Sequence, residues 1–235
     1  MGDHLKQDSH IDGLQTHVKK RRDDIPGLRL VIDKTWHGNP TDHRPAEIQL
    51  GWKFEKIPNR PHKRVVTVEF TTPFYDDPEP EMIPGITPEL TDYECMMLIF
   101  ANENNHYLEV IVGPHGHWIC RLYDGIGNCF NNGEELELVV HNQWVGGDLW
   151  NCSFEVPLAY FPANIYKMNA FTLHGPEEER VIEALRPVSD GNDETPDFHR
   201  IEFYKRIDKA KFIPMPYGGI PFKDWKYGDL WEGHY

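Results

Sequence analysis

The chain has 235 residues, 39% hydrophobic and 12% aromatic, with 24 Lys and Arg against 38 Asp and Glu for a formal net charge of −14. That length suits one β-rich domain with a substantial core, and the acidic balance argues against a nucleic-acid backbone or an anionic membrane as the main partner. No apolar run approaches the roughly 20 residues that span a bilayer, and the polar N-terminus carries no secretory pattern.

Residues 1–25 are polar and aperiodic and are expected to form a mobile extension. The basic run Lys19-Lys20-Arg21-Arg22 within it reads as a solvated tail rather than a localisation or nucleic-acid signal. A single domain is expected over residues 26–235. It begins near Leu28-Arg29-Leu30-Val31-Ile32 and the loop Thr35-Trp36-His37-Gly38-Asn39-Pro40. From there the dominant period is two, the mark of β-strands. Ile48, Leu50 and Trp52 alternate with polar residues, as do Val66, Val68 and Phe70. Met96 to Phe100 is continuously apolar, which predicts a central strand covered on both faces.

Further along, Leu108, Val110 and Val112 share one face, while Tyr107, Glu109 and Ile111 share the other. Trp118-Cys120-Leu122, Leu136-Leu138-Val140, Trp150-Cys152-Phe154, Phe171-Leu173 and Ile201-Phe203 repeat the alternation. Turn clusters punctuate these runs at Asp76-Asp77-Pro78-Glu79-Pro80, Asn102-Glu103-Asn104-Asn105, Asp124-Gly125-Ile126-Gly127-Asn128 and Asn131-Asn132-Gly133. The prediction is an all-β chain, a two-sheet antiparallel β-sandwich with minor helix near Pro157–Tyr160 and Pro176–Leu185. An aromatic C-terminal segment from Asp224 to Trp231 is expected to dock back on it.

Four cysteines stand at 95, 120, 129 and 152 without CxxC spacing, so buried packing in a reducing, cytoplasmic setting is the expectation.

Several motifs occur in one order: Thr35-Trp36-x-Gly38-x-Pro40, Asp92-Tyr93-Glu94, Tyr107-Leu108-Glu109-Val110 and Pro114-His115-Gly116. Tyr160-Phe161-Pro162, Phe171-x2-His174-Gly175, Glu183-Ala184-Leu185-x-Pro187-Val188, Pro196-Asp197-Phe198-His199 and Asp229-Leu230-Trp231 follow. This series resembles an uncharacterised animal protein family whose human member is encoded by an open reading frame on chromosome 4. The Asp-Tyr-Glu, Tyr-x-Glu and Pro-x-Gly elements are also similar to the family 9 carbohydrate-binding modules and the wider DOMON-like sandwiches, which bind sugars or haem. One departure is Met97, where the animal family tends to carry a second acidic residue.

The resemblance and the residue chemistry together imply a small-molecule or carbohydrate ligand. Its expected binding residues are Trp36, Glu94, Tyr107, Glu109, His115 and His174. Carboxylates and imidazoles supply directional hydrogen bonds, and an aromatic ring supplies a platform. Trp36 and Trp144, in loop-like contexts, are the expected rim, whereas Trp118 and Trp150 point inward.

An enzyme using the same groups is the alternative, with Glu109, His115, His174, Glu183 or His199 as catalytic candidates. His115, His117, His174 and His199 are the candidate metal ligands; the first two are expected to share a strand face. Haem held through Met96 or Met97 is a lesser option. An interaction module without pocket chemistry is a third reading. No GxSxG elbow supports nucleophilic catalysis.

Overall fold

The computed structural model describes residues 27–55, 58, 63–187, 196–213 and 226–234. The expected N-terminal extension and its basic run lie outside the described residues, as do Val188 and Asp224-Trp225 of the motifs above.

Among the described residues, twelve strands build two antiparallel sheets. They are β1 (Leu28–Ile32), β2 (Ala46–Glu55), β3 (Lys63–Pro73), β4 (Cys95–Ala101), β5 (His106–Val112) and β6 (Trp118–Asp124), then β7 (Cys129–Asn131), β8 (His141–Val145), β9 (Leu149–Pro157), β10 (Lys167–His174), β11 (Val181–Ala184) and β12 (Lys205–Arg206). The five-stranded sheet runs β1-β2-β3-β9-β8; the seven-stranded sheet runs β11-β10-β4-β5-β6-β7, with β12 also on β10. This is the two-sheet β-sandwich that the alternating pattern predicts. Among the described residues no helix is long and apolar enough to cross a membrane.

The central core lies between the sheets. Ile48, Leu50, Val66, Val68, Trp150 and Phe154 from the five-stranded sheet meet Met96, Leu98, Leu108, Val110, Trp118 and Cys120 from the other. Trp150 packs edge-on to Phe70 at 4.9 Å, and its indole N–H donates to Asn142 Oδ1 at 2.8 Å. The other face of the five-stranded sheet meets solvent, hence its clean alternation.

The seven-stranded sheet carries a second apolar layer on its outer face. Cys95, Met97, Ile99, Tyr107, Ile111 and Phe171 pack there beneath Trp36, Leu90, Ile201 and Tyr204 from the connections. Every residue of β4 and β5 is therefore buried. Two covered faces explain why these strands are apolar throughout.

Three local expectations give way. Ile201–Phe203 is a 3-10 turn rather than a strand, inserting Ile201 into the outer layer. Leu136 and Leu138 fill the central core from an extended segment that joins no ladder. Of the helix expected near Pro176–Leu185 only the 3-10 turn Glu177–Glu179 forms; Val181–Ala184 instead pairs with β10 as an edge strand, where its β-branched residues suit the pleat. At the other predicted helix, Leu158–Tyr160 is a 3-10 turn. The C-terminal segment docks as expected, with Trp231 buried against His106 and Phe130.

Candidate functional site

On β10, Met168 and Ala170 face the central core, so Thr172 and His174 continue that face to the end of the strand. Antiparallel pairing sets Glu183 of β11 directly opposite Thr172. The far edge of β11 is held by the chain leaving β1: Trp36 N donates to Ile182 O at 2.7 Å and Ala184 N to Lys34 O at 2.9 Å. Two connections then bring His43, from between β1 and β2, and Tyr75, just past β3, onto this corner.

The polar atoms converge. His43 Nε2 lies 2.6 Å and His174 Nε2 3.7 Å from Glu183 Oε1. One ligand atom from each of the three residues falls within 4.8 Å of the others. Tyr75 Oη is 3.0 Å from His43 Nε2, and the Tyr75 ring lies flat on the His174 imidazole, centroids 3.5 Å apart and planes 2° from parallel. The Thr172 hydroxyl donates to Glu183 Oε2 at 2.8 Å.

Glu183 is 1% exposed and His174 8%. Burial alone would raise the Glu183 pKa. The approach of His174, the Thr172 hydroxyl and the His43 imidazole outweigh it and hold the carboxyl below the ordinary 4.5. Burial, with Glu183 and Glu94 nearby, pushes the Tyr75 phenol up, so it stays protonated.

The segment after Tyr75 is latched by backbone bonds. Glu94 accepts from Tyr75 N at 3.1 Å and Asp77 N at 3.3 Å. Asp77 Oδ2 in turn accepts from Gly175 N at 2.6 Å. Gly175 has φ +85°, and a Cβ there would meet Glu179 O at 2.8 Å, so only glycine fits. Burial raises the Glu94 pKa above 4.5 despite its two N–H donors.

Next to Tyr75, Phe74 helps to build an aromatic cluster. Its N–H donates to Asp148 O at 3.0 Å, tying the exit of β3 to the β8–β9 turn. The Phe74, His115 and Trp144 rings sit at mutual centroid distances of 6.1–6.3 Å. Trp144 remains 48% exposed. Glu79 reaches His115 Nδ1 at 3.6 Å, placing a carboxylate at the cluster's edge.

Of the predicted site residues, His174 and Glu183 come together at the corner, and Glu94 borders it through the Tyr75 backbone. Tyr107, Glu109 and His199 are on the outer face of the seven-stranded sheet. There Tyr107 Oη meets His199 Nδ1 at 2.8 Å and accepts from Gly127 N at 2.9 Å. Buried Glu109 accepts from Arg121 at 3.0 Å and the Tyr123 hydroxyl at 3.3 Å. Trp36, expected at a rim, is 2% exposed, packed against Phe171 and Phe198.

His115 and His117 do not share a strand face. They flank the turn glycine Gly116 (φ +87°), and His117 is buried against the Thr87 hydroxyl at 3.0 Å. Met96 and Met97 pack into the opposite layers of the seven-stranded sheet. His43 and Tyr75 escape sequence reasoning because each stands in an unpatterned connection; no spacing links either to Glu183.

No protein-family model matches the chain. Curated relatives do. The mouse UPF0462 protein C4orf33 homolog is 32% identical over 87% of this chain and 100% of its own length. The human UPF0462 protein C4orf33 is 32% identical over 87% and 96%, and the zebrafish homolog 33% identical over 87% and 98%. Among solved structures, a "putative carbohydrate-binding protein" from Bacteroides uniformis superposes with a TM-score of 0.52 at 11% identity, covering 77% of this chain and 85% of that one.

Proposed function

This chain belongs to the UPF0462 (C4orf33) family, and for it we propose a binding role, with a small polar ligand of the carbohydrate class held on the Phe74–His115–Trp144 cluster. The single observation that carries this reading is Trp144, half in water yet fixed against two other rings. A flat, electron-rich ring suits the C–H face of a sugar. Glu79 and His115 at its edge supply an acceptor and a directional partner for hydroxyls, and such sites need only a few polar groups. Fold-level support comes from the Bacteroides sandwich, described as carbohydrate-binding on a putative basis.

The test is a glycan panel screened with untagged protein, followed by Trp144→Ala. Binding weakened at least about tenfold by this change, with the melting temperature unmoved, is the expected result; a tenfold change corresponds to about 1.4 kcal/mol. Equal affinity of variant and wild type, or no glycan bound at millimolar concentration, refutes the platform.

Catalysis at the neighbouring corner is the second reading. It rests on the ionised Glu183 carboxylate and the protonated Tyr75 phenol brought to one corner through His43, a base and an acid. It requires turnover that Tyr75→Phe abolishes while the fold persists.

A further inference from the structure

We infer that His43, His174 and Glu183 form a binding site for one divalent transition-metal ion of the zinc class, independent of the glycan platform. The first support is convergence: two imidazole nitrogens and one carboxylate oxygen fall within 4.8 Å of one another. Zinc–nitrogen and zinc–oxygen distances near 2.0–2.2 Å place tetrahedral ligand atoms about 3.3 Å apart. The observed 2.6 and 3.7 Å to Glu183 Oε1 straddle that spacing.

The second support is unmet bonding. His174 Nε2 and Glu183 Oε1 are both buried, and neither makes a hydrogen bond. Buried polar atoms are nearly always satisfied, so two facing orphans call for a shared partner. Among the described residues, two further buried side-chain atoms are orphaned, the indole nitrogens of Trp36 and Trp231, and neither can ligate a metal.

The third support is the orientation of the His43 ring. His43 Nδ1 lies 3.0 Å from Arg44 O, and a carbonyl can only accept, so Nδ1 carries the proton. That turns Nε2 toward Glu183 Oε1 at 2.6 Å and the Tyr75 hydroxyl at 3.0 Å.

The surrounding contacts match those that orient metal ligands. Thr172 occupies Glu183 Oε2 and leaves Oε1 for the ion, the Arg44 carbonyl fixes the His43 tautomer, and Tyr75 fixes the His174 ring plane. A mixed N,N,O donor set suits Zn2+ and its neighbours, whereas Ca2+ and Mg2+ require oxygen. Three protein ligands leave one position for water or for the Tyr75 hydroxyl.

The probe is Co2+ added to untagged, chelator-treated full-length protein, read by visible absorption and then displaced with Zn2+. One Co2+ per chain is expected. His43→Gln and His174→Gln should each weaken binding more than the about 10- to 100-fold that outer-shell changes such as Thr172→Val produce, whereas exposed His37→Gln leaves it unchanged. Should Glu183→Gln fail to fold, the part-exposed His43 carries the test alone. Folded wild type that takes up no Co2+, or uptake undiminished in the His43→Gln/His174→Gln protein, overturns the site. Glycan binding by Trp144 is read separately, so the two proposals fail independently.

Discussion

Replacing Arg121 with Met should strand the Glu109 carboxylate inside the outer apolar layer. Glu109 is 2% exposed and lies directly across from Arg121 in the β5–β6 ladder. Removing one partner of a buried pair costs about 3–5 kcal/mol, because the remaining charge has lost both water and counter-ion. Two features place this case at the low end. The Arg121 side chain keeps 21% exposure, and the Tyr123 hydroxyl still donates to Glu109.

About 3 kcal/mol is therefore expected, together with loss of the Arg121 bond to Pro88 O, which pins the 84–90 segment. For a chain of this size that lowers the melting temperature by roughly 6–12 °C. The double change Glu109→Leu/Arg121→Met removes both charges and should return to within about 1 kcal/mol of wild type. Equilibrium urea unfolding followed by tryptophan fluorescence reads all three differences. A single variant costing under about 1 kcal/mol, or a double variant as weak as the single, would refute the assignment of Glu109 as a structural counter-ion.

Glu183 and Glu94 should imprint opposite pH dependences on stability. The Glu183 carboxyl is held below 4.5, so its contribution is present above that value and lost as pH falls through its depressed pKa; Glu183→Gln should flatten this acid limb. The Glu94 carboxyl is raised above 4.5, so the folded state keeps its proton longer and stability drops as pH rises from 4.5 through the raised pKa; Glu94→Gln should remove that drop, both effects being read from urea midpoints across pH. Thiol titration of the native protein should count one accessible cysteine, Cys129, and all four only after unfolding, since burial shields Cys95, Cys120 and Cys152 and pushes their thiols up, that of Cys95 to about 12. Trp231→Ala should destabilise the fold by about 3–5 kcal/mol in denaturant unfolding, because a fully buried indole docked on His106 and Phe130 is lost.

The sandwich was legible where one physical cause dominates the pattern. Alternation in β2, β3 and β9 reports one solvent face, and the unbroken apolar run of β4 reports two covered faces. What covers the second face was not legible. Trp36 and Trp144 both stand near glycines in the sequence, yet Trp36 lies in a connection packed against Phe171 and Phe198 while Trp144 lies in edge strand β8 and faces water. The docking of the 33–45 connection on β11 buries the first, and an edge position in the five-stranded sheet exposes the second. Leu136-Leu138 shows the reverse limit, since its period of two reflects burial without any ladder.

The corner site divides in the same way. His174 and Glu183 sit in recognisable motifs on paired strands, so they were named. His43 and Tyr75 reach them only because β1 pairs with β2, β3 leads into the latched segment at Glu94, and the chain at Lys34–Trp36 docks on β11. Those pairings are long-range, and no local pattern encodes them.

The most direct measurement follows the tryptophan indole N–H signals by NMR, one for each of the seven tryptophans, while a glycan selected from the panel is titrated in. Trp144→Phe assigns the decisive peak. If the aromatic cluster is the binding surface, the Trp144 signal shifts saturably while those of buried Trp36 and Trp150 stay in place. Saturable binding that leaves the Trp144 signal unmoved would contradict it.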